Sequence, residues 1–299
     1  MKMQWTVLLF GVGVLLAAQD ISPDTNLLLR RYREGEKLTY QMKGLNEKWR
    51  YEIQADGIVK KASDGTYFEE FGWSRLVFDG QEVALSPATL NLRQQLTLDP
   101  NRNPGFPNLS QADPRLVGPL TDMLTFYVDL RLAIKNGKLA KAGDHFYFKR
   151  GTPASWADGN YVLIGESSID FDITLKEINR SNNTATLLAR HVPPEKPEVR
   201  LTAEWMRQPV ADTPNNWVLV QKRDDGKYLA AAGKEIFNDE IVVSLSDGKI
   251  LSATMDNPVK IVERECSDAA LTQCGEPRPR LIRRQVEISL QHSRPGAGQ

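Results

Sequence analysis

Apolar and polar residues alternate with a period of two along most of this chain. Leu38, Tyr40 and Met42 share one phase, as do Trp49, Tyr51 and Ile53. Ile169, Phe171, Ile173 and Leu175 face away from Asp170, Asp172 and Thr174. The sets Val199-Leu201-Ala203-Trp205, Ile241-Val243-Leu245 and Val286-Ile288-Leu290 repeat the pattern. Successive strand side chains point to opposite faces, so such segments bury one face and wet the other. That is how antiparallel sheets packed on a single side read.

The punctuation agrees. Asp-Gly pairs occur at Asp56-Gly57, Asp64-Gly65, Asp79-Gly80, Asp158-Gly159, Asp225-Gly226 and Asp247-Gly248. Each can supply the positive φ of a tight hairpin turn. Asn179 to Asn183 reads as a longer polar turn. One segment departs from the rule. Leu120, Met123, Leu124, Tyr127, Leu130 and Ile134 recur at helical spacing, with Pro119 suited to the start and Gly137 to the stop. The expected fold is mainly β: an antiparallel meander, curved sheet or barrel-like sandwich, covered by one helix over about 119–136. The expected unit is 31–291, with sub-halves 31–137 and 138–291 marked by Gly35-Glu36 and Gly143-Asp144. A flexible segment over 19–30 and a disordered tail over 292–299 flank it.

The first eighteen residues have the shape of a secretory signal peptide. Lys2 precedes an uncharged run from Trp5 to Ala18, with Ala17 and Ala18 at the cut. A bilayer span needs about 20 apolar residues, and this run has 14. Leu16 is a poor residue three before the cut, which keeps an uncleaved anchor as the rival. The reading is a secreted or periplasmic protein with no transmembrane segment in the mature chain.

The chain carries 38 basic and 38 acidic residues, which gives no electrostatic footprint for nucleic acid. Arg278, Arg280, Arg283 and Arg284 read as a solvated strand face. Only two cysteines are present, Cys266 and Cys274. In an oxidising compartment such neighbours pair, and a short loop gains about 2–3 kcal/mol from it.

Chemistry-bearing constellations are sparse. Asp99, Asn101 and Asn103 place oxygens at alternate positions, as a calcium loop would, but Pro104 and Ser110 stand where that loop requires Gly and Glu. A turn bonded to its own backbone is the alternative. Asp170 and Asp172 lie on one strand face and are the candidate catalytic carboxylates, with a solvated strand face as the rival. No phosphate loop, dinucleotide fingerprint, hydrolase elbow or zinc pattern occurs, and no cofactor is implied. Trp49 and Trp205 fall in phase with core residues, whereas Trp156 and Trp217 flank turns and suit a surface.

Gly143 to Phe148, Trp156 to Gly159, Ser168 to Asp172, Asp212 to Trp217 and Cys266 to Cys274 resemble segments of uncharacterised exported bacterial proteins. Gly35-Glu36-Lys37-Leu38-Thr39-Tyr40 is similar to the opening of periplasmic domains of unknown function. The resemblance covers nearly the whole mature chain and implies an exported β-rich protein with no assigned activity. Three functional readings follow. The first is non-catalytic binding of an apolar small molecule or an envelope protein, in a groove lined by Leu124, Tyr127, Phe171 and Ile173. The others are a carbohydrate-active hydrolase or lyase, and a structural or protein-interaction module.

Overall fold

The structure, a computed structural model, describes residues 26–105, 113–149, 170–192 and 203–291. The chain runs β1 (Lys37–Asn46), β2 (Trp49–Lys61), β3 (Tyr67–Phe78), β4 (Gln81–Val83), α1 (Pro87–Leu90), β5 (Gln94–Leu96) and α2 (Val117–Asn136). It continues with β6 (His145–Lys149), β7 (Asp170–Asn179), β8 (Thr184–Val192), β9 (Trp217–Lys222), β10 (Tyr228–Glu235), β11 (Asn238–Ser244), β12 (Ile250–Cys266) and β13 (Arg278–Leu290). Every strand pair is antiparallel, in the order β4-β3-β2-β1-β13-β12-β11-β8-β7-β6. β5 adds to β3, and β9 and β10 attach through β12. The fold is therefore mainly β with one long helix, as alternation and spacing predicted.

The first strand closes onto the last: Met42 stands opposite Ile288. β12 is the spine. It pairs β13 along one side, and on the other pairs β11 with its first half and β10 with its second. The sheet must also curl. β3 and β11 are five strand spacings apart, which is about 24 Å in a flat sheet. Yet Glu69 of β3 bonds Tyr127 of α2, and Asp239 of β11 lies close enough to Asp129, two residues further on, for their charges to couple. A helix only about 10–12 Å across can meet both strands only if the sheet wraps around it.

That wrapping explains the helix's burial. Leu120, Asp122, Met123, Phe126, Tyr127, Asp129, Leu130, Ala133 and Ile134 are all buried, an arc of about half the circumference. One core cluster joins them to Leu38, Tyr40, Met42, Ile53, Phe71 and Trp73 on one side and Ile173, Leu187, Ile241, Val286 and Ile288 on the other. It draws on both expected sub-halves. Pro119 sits at the third helical position rather than the first, still within the turn whose N–H groups lack partners. Gly137 ends α2 at φ 65°, its N–H donating to the Ala133 carbonyl.

Asp64-Gly65, Asp79-Gly80, Asp225-Gly226 and Asp247-Gly248 turn between strands as expected, each with glycine at positive φ. Asp56-Gly57 does not: it lies inside β2. Gly57 is needed there for a different reason. The Phe71 ring lies against its Cα, so a Cβ would overlap that ring. Gly57→Ala is expected to destabilise the protein by about 1–3 kcal/mol through overpacking. Urea unfolding against wild type checks this, and a change below a few tenths of a kcal/mol would contradict it.

Two other readings are corrected. Ala203 and Trp205 do not continue a strand. Glu204–Arg207 is a 3-10 helix that seats Met206 on Val218, Ala230 and Ala232, since a one-turn helix packs with a period of three. Trp49 is 45% exposed at the β1–β2 hairpin, resting on Phe78 and under Lys48 rather than in the core. Cys266 and Cys274 lie at disulfide-bonding distance, Cα to Cα 4.0 Å, beside Leu271 in this smaller cluster. The segment 1–25, Trp156, Asp158-Gly159, Ser168, Ile169, Val199, Leu201 and the tail 292–299 lie outside the described residues.

Candidate functional site

An aspartate on the apolar arc of a helix needs a partner, because a dry unpaired carboxylate is very costly. α2 carries two, Asp122 and Asp129, plus the hydroxyl of Tyr127. Each meets the sheet at a different strand. Asp122 is 2% exposed; the Tyr51 hydroxyl of β2 donates to its Oδ2 at 2.6 Å, and Arg284 of β13 donates to its Oδ1. Burial pushes the Tyr51 hydroxyl up, against the pull of Arg284, and burial draws the Arg284 guanidinium down.

The second tie is the Tyr127 hydroxyl, which donates to Glu69 Oε2. Glu69 is 1% exposed and in phase with Phe71 and Trp73. Its other oxygen accepts from Arg30 Nε at 3.0 Å. Arg30 reaches on to Glu36 at 2.7 Å and to the Arg31 carbonyl at 3.1 Å. Glu36 then meets Lys249 at 3.1 Å, which also holds Asp247 at 2.9 Å. Burial works against the Arg30 charge, but Glu69 and Glu36 outweigh it and hold the proton firmly. Burial pushes the Glu69 carboxyl above its ordinary range, with Arg30 and Tyr127 opposing.

The third tie joins Asp129 to Asp239 of β11. Asp239 is fully buried, and burial followed by the Asp129 charge raises its carboxyl well above the usual range. The two buried carboxyls titrate as a pair, and the direction for Asp239 is upward, toward the protonated form. Two carbonyls of α2 are also held from outside it: Leu120 by Gln94 at 3.0 Å and Ile134 by Asn26 at 2.8 Å.

Of the groove residues named from sequence, Tyr127 and Ile173 are enclosed in the core, while Leu124 and Phe171 pack partly buried against it. Asp172 faces His145 Nδ1 at 3.2 Å on the neighbouring strand, and His145 packs edge-on to the exposed Tyr147. The bond joins Asp172 to His145 across the β6–β7 pair. The loop of Asp99, Asn101 and Asn103 closes around a guanidinium. Arg131 of α2 donates to the Asp99 and Pro100 carbonyls, each at 3.1 Å, and to Asn103 Oδ1 at 3.3 Å. Asp99 Oδ1 takes the Asn101 N–H at 2.9 Å, an Asx turn. Among the described residues no three His, Cys, Asp or Glu side chains gather around a common point, and no helix is long and apolar enough to cross a membrane.

Sequence reasoning did not find Arg30, Glu69, Asp122, Asp129 or Asp239. The signal was there for three of them: Glu69, Asp122 and Asp129 each interrupt an apolar phase.

The described fold is an open antiparallel sheet wrapped on a single polar-tied helix. No protein-family model and no curated protein matches the chain. Among solved structures it is similar to lipovitellin, from a structure described as "Lipid-protein interactions in lipovitellin", at 12% identity and a TM-score of 0.36. The match takes in 90% of this chain and 26% of that one, so this chain spans about a quarter of the protein it matches. A likeness of that size has no bearing on what this chain binds.

Proposed function

We propose that the chain is an exported, non-catalytic binding protein whose ligand is apolar and exchanges with α2 for the concave face of the sheet. The make-up of the helix–sheet contact supports this reading. Asp122, Tyr127 and Asp129 all hold α2 through buried polar partners. A helix that only fills a core has no need of them, since apolar replacements of buried ion pairs are often neutral or stabilising. Polar ties fix one seating and release as units, which suits an element that leaves and returns. A ligand favouring the unseated state draws the population toward it. Tyr127 and Ile173 would line the vacated face, and Leu124 and Phe171 its margin. Export is supported by the run from Lys2 to Ala18 and by the cysteine pair.

Native mass spectrometry of protein purified from its host without detergent tests the reading, followed by titration with a fluorescent fatty acid. The expected result is extra mass that leaves on denaturation and saturable fluorescence. Asp122→Asn is expected to tighten the probe, because a larger seating-free fraction raises apparent affinity. Apo mass together with no saturable fluorescence would overturn the proposal.

A further inference from the structure

A second concavity lies on the opposite, outer face of the sheet, and nothing in the reading above uses it. β3 is paired by β5 at Glu69–Phe71 and by β4 at Leu76–Phe78. Between those stretches its edge has no strand partner among the described residues, and a bulge against β2 falls beside Ser74. The chain after α1 crosses this gap and leaves a pocket of about 400 Å³. Pockets of this volume fall in the small-molecule range.

The polar groups of the pocket are ordered before any ligand arrives. Asp56 accepts from Thr39 Oγ1 at 2.9 Å, from Ser74 Oγ at 2.7 Å and from Gln54 Nε2 at 3.0 Å on each oxygen. A carboxylate has about four acceptor sites, so Asp56 is filled. The Thr39 and Ser74 hydroxyls have committed their protons to it, and they present lone pairs. Glu70 is engaged by Lys60 at 2.6 Å. The cations differ. Lys37 and Arg93 line the pocket, and among the described residues neither has an ion-pair partner. Arg93 is nonetheless held in place: Nη1 donates to the Leu90 and Leu92 carbonyls, both at 2.8 Å. Its guanidinium lies over Gly72, where a Cβ would come within 3.2 Å of Nη1. Ile58 and Leu90 supply apolar wall.

We infer that this pocket binds a small hydroxylated carboxylate of the sugar-acid class. The carboxylate meets the remaining N–H groups of Arg93 and the Lys37 ammonium, in the charge-assisted geometry guanidinium groups favour. Ligand hydroxyls donate to the oxygens of Thr39 and Ser74. A neutral sugar would leave both cations unanswered. A simple carboxylate would leave the ordered hydroxyls unused.

The test is a titration of the full chain with sodium D-glucuronate, followed by amide NMR and calorimetry, with D-glucose and acetate as comparators. Glucuronate is expected to saturate and to shift amides of β1, β2 and β3 around Thr39, Asp56 and Ser74. Glucose and acetate are expected to bind at least about tenfold more weakly, as is glucuronate to Arg93→Gln, the loss of one charged hydrogen-bonding group. Arg93 is exposed, so the variant's amide spectrum will otherwise match wild type. No saturable shift with glucuronate overturns the inference. Equal binding of glucose, or an unchanged affinity in Arg93→Gln, overturns it too. The concave face is untouched by Arg93→Gln, so failure here and failure of fatty-acid binding are separately visible.

Discussion

Arg30→Met is expected to cost about 3–5 kcal/mol, the cost of breaking a buried ion pair from one side. The Arg30 side chain is completely buried, and so, to 1%, is that of Glu69. Removing the guanidinium strands Glu69 beneath the sheet with, among the described residues, the Tyr127 hydroxyl to answer it. It also frees the Glu36 contact at 2.7 Å and the stacking of Arg30 over Tyr32 at 4.7 Å. Glu69 will then take up a proton in the folded state. Its carboxyl already lies above its ordinary range with Arg30 present. Stability of the variant should therefore fall as pH rises, because the folded chain binds a proton the unfolded chain does not. The double variant Arg30→Met, Glu69→Gln should recover part of the loss, since the amide needs no counter-charge. Urea unfolding at neutral pH measures all three proteins. A single variant within about 1 kcal/mol of wild type would show that the network contributes nothing beyond a surface pair.

Why Arg30 escaped sequence reading is instructive. It falls in a segment, 19–30, expected to be flexible, and a lone arginine has no period. Yet Leu28 is fully buried and Asn26 bonds the Ile134 carbonyl, 108 residues away. Arg30's partners Glu36 and Glu69 lie 6 and 39 residues along, and Lys249 joins from 213 residues beyond Glu36. Periodicity reports which way a side chain faces. It does not report which distant element faces it. That limit explains both success and failure in the fold. β1, β7, β11 and β13 were legible because one apolar face is a local property. The helix was legible because its stop, Gly137, is local too. Asp56-Gly57 was misread because its glycine answers to Phe71, a residue of another strand. The expected disulfide partners were readable since only two cysteines exist. Glu69, Asp122 and Asp129 could have been flagged as carboxylates in apolar phase, but Tyr51, Arg284 and Asp239 follow only from the wrapped sheet.

Asp239 yields the other large effect, and its sign is fixed by where its proton sits. On β11 it stands between Ala189 of β8 and Met255 of β12, and across from it on α2 is Asp129. Burial first, and the Asp129 charge second, raise its carboxyl. In the unfolded chain the same group titrates near 3.9, roughly the ordinary aspartate value. Between that value and the raised folded one, the folded state binds one more proton than the unfolded state. The stability tied to this proton is therefore complete below the unfolded value and drains away as pH rises, at up to about 1.4 kcal/mol per pH unit. Asp239→Asn keeps an N–H donor for Asp129 and abolishes the titration. The difference between variant and wild type should widen in the variant's favour as pH rises above the unfolded aspartate value, until the folded group has lost its proton as well. Titrating groups outside the Asp129–Asp239 pair are common to both proteins and cancel in that difference. Parallel stability curves would mean that Asp239 does not hold the proton, and that α2 is seated on β11 by packing alone.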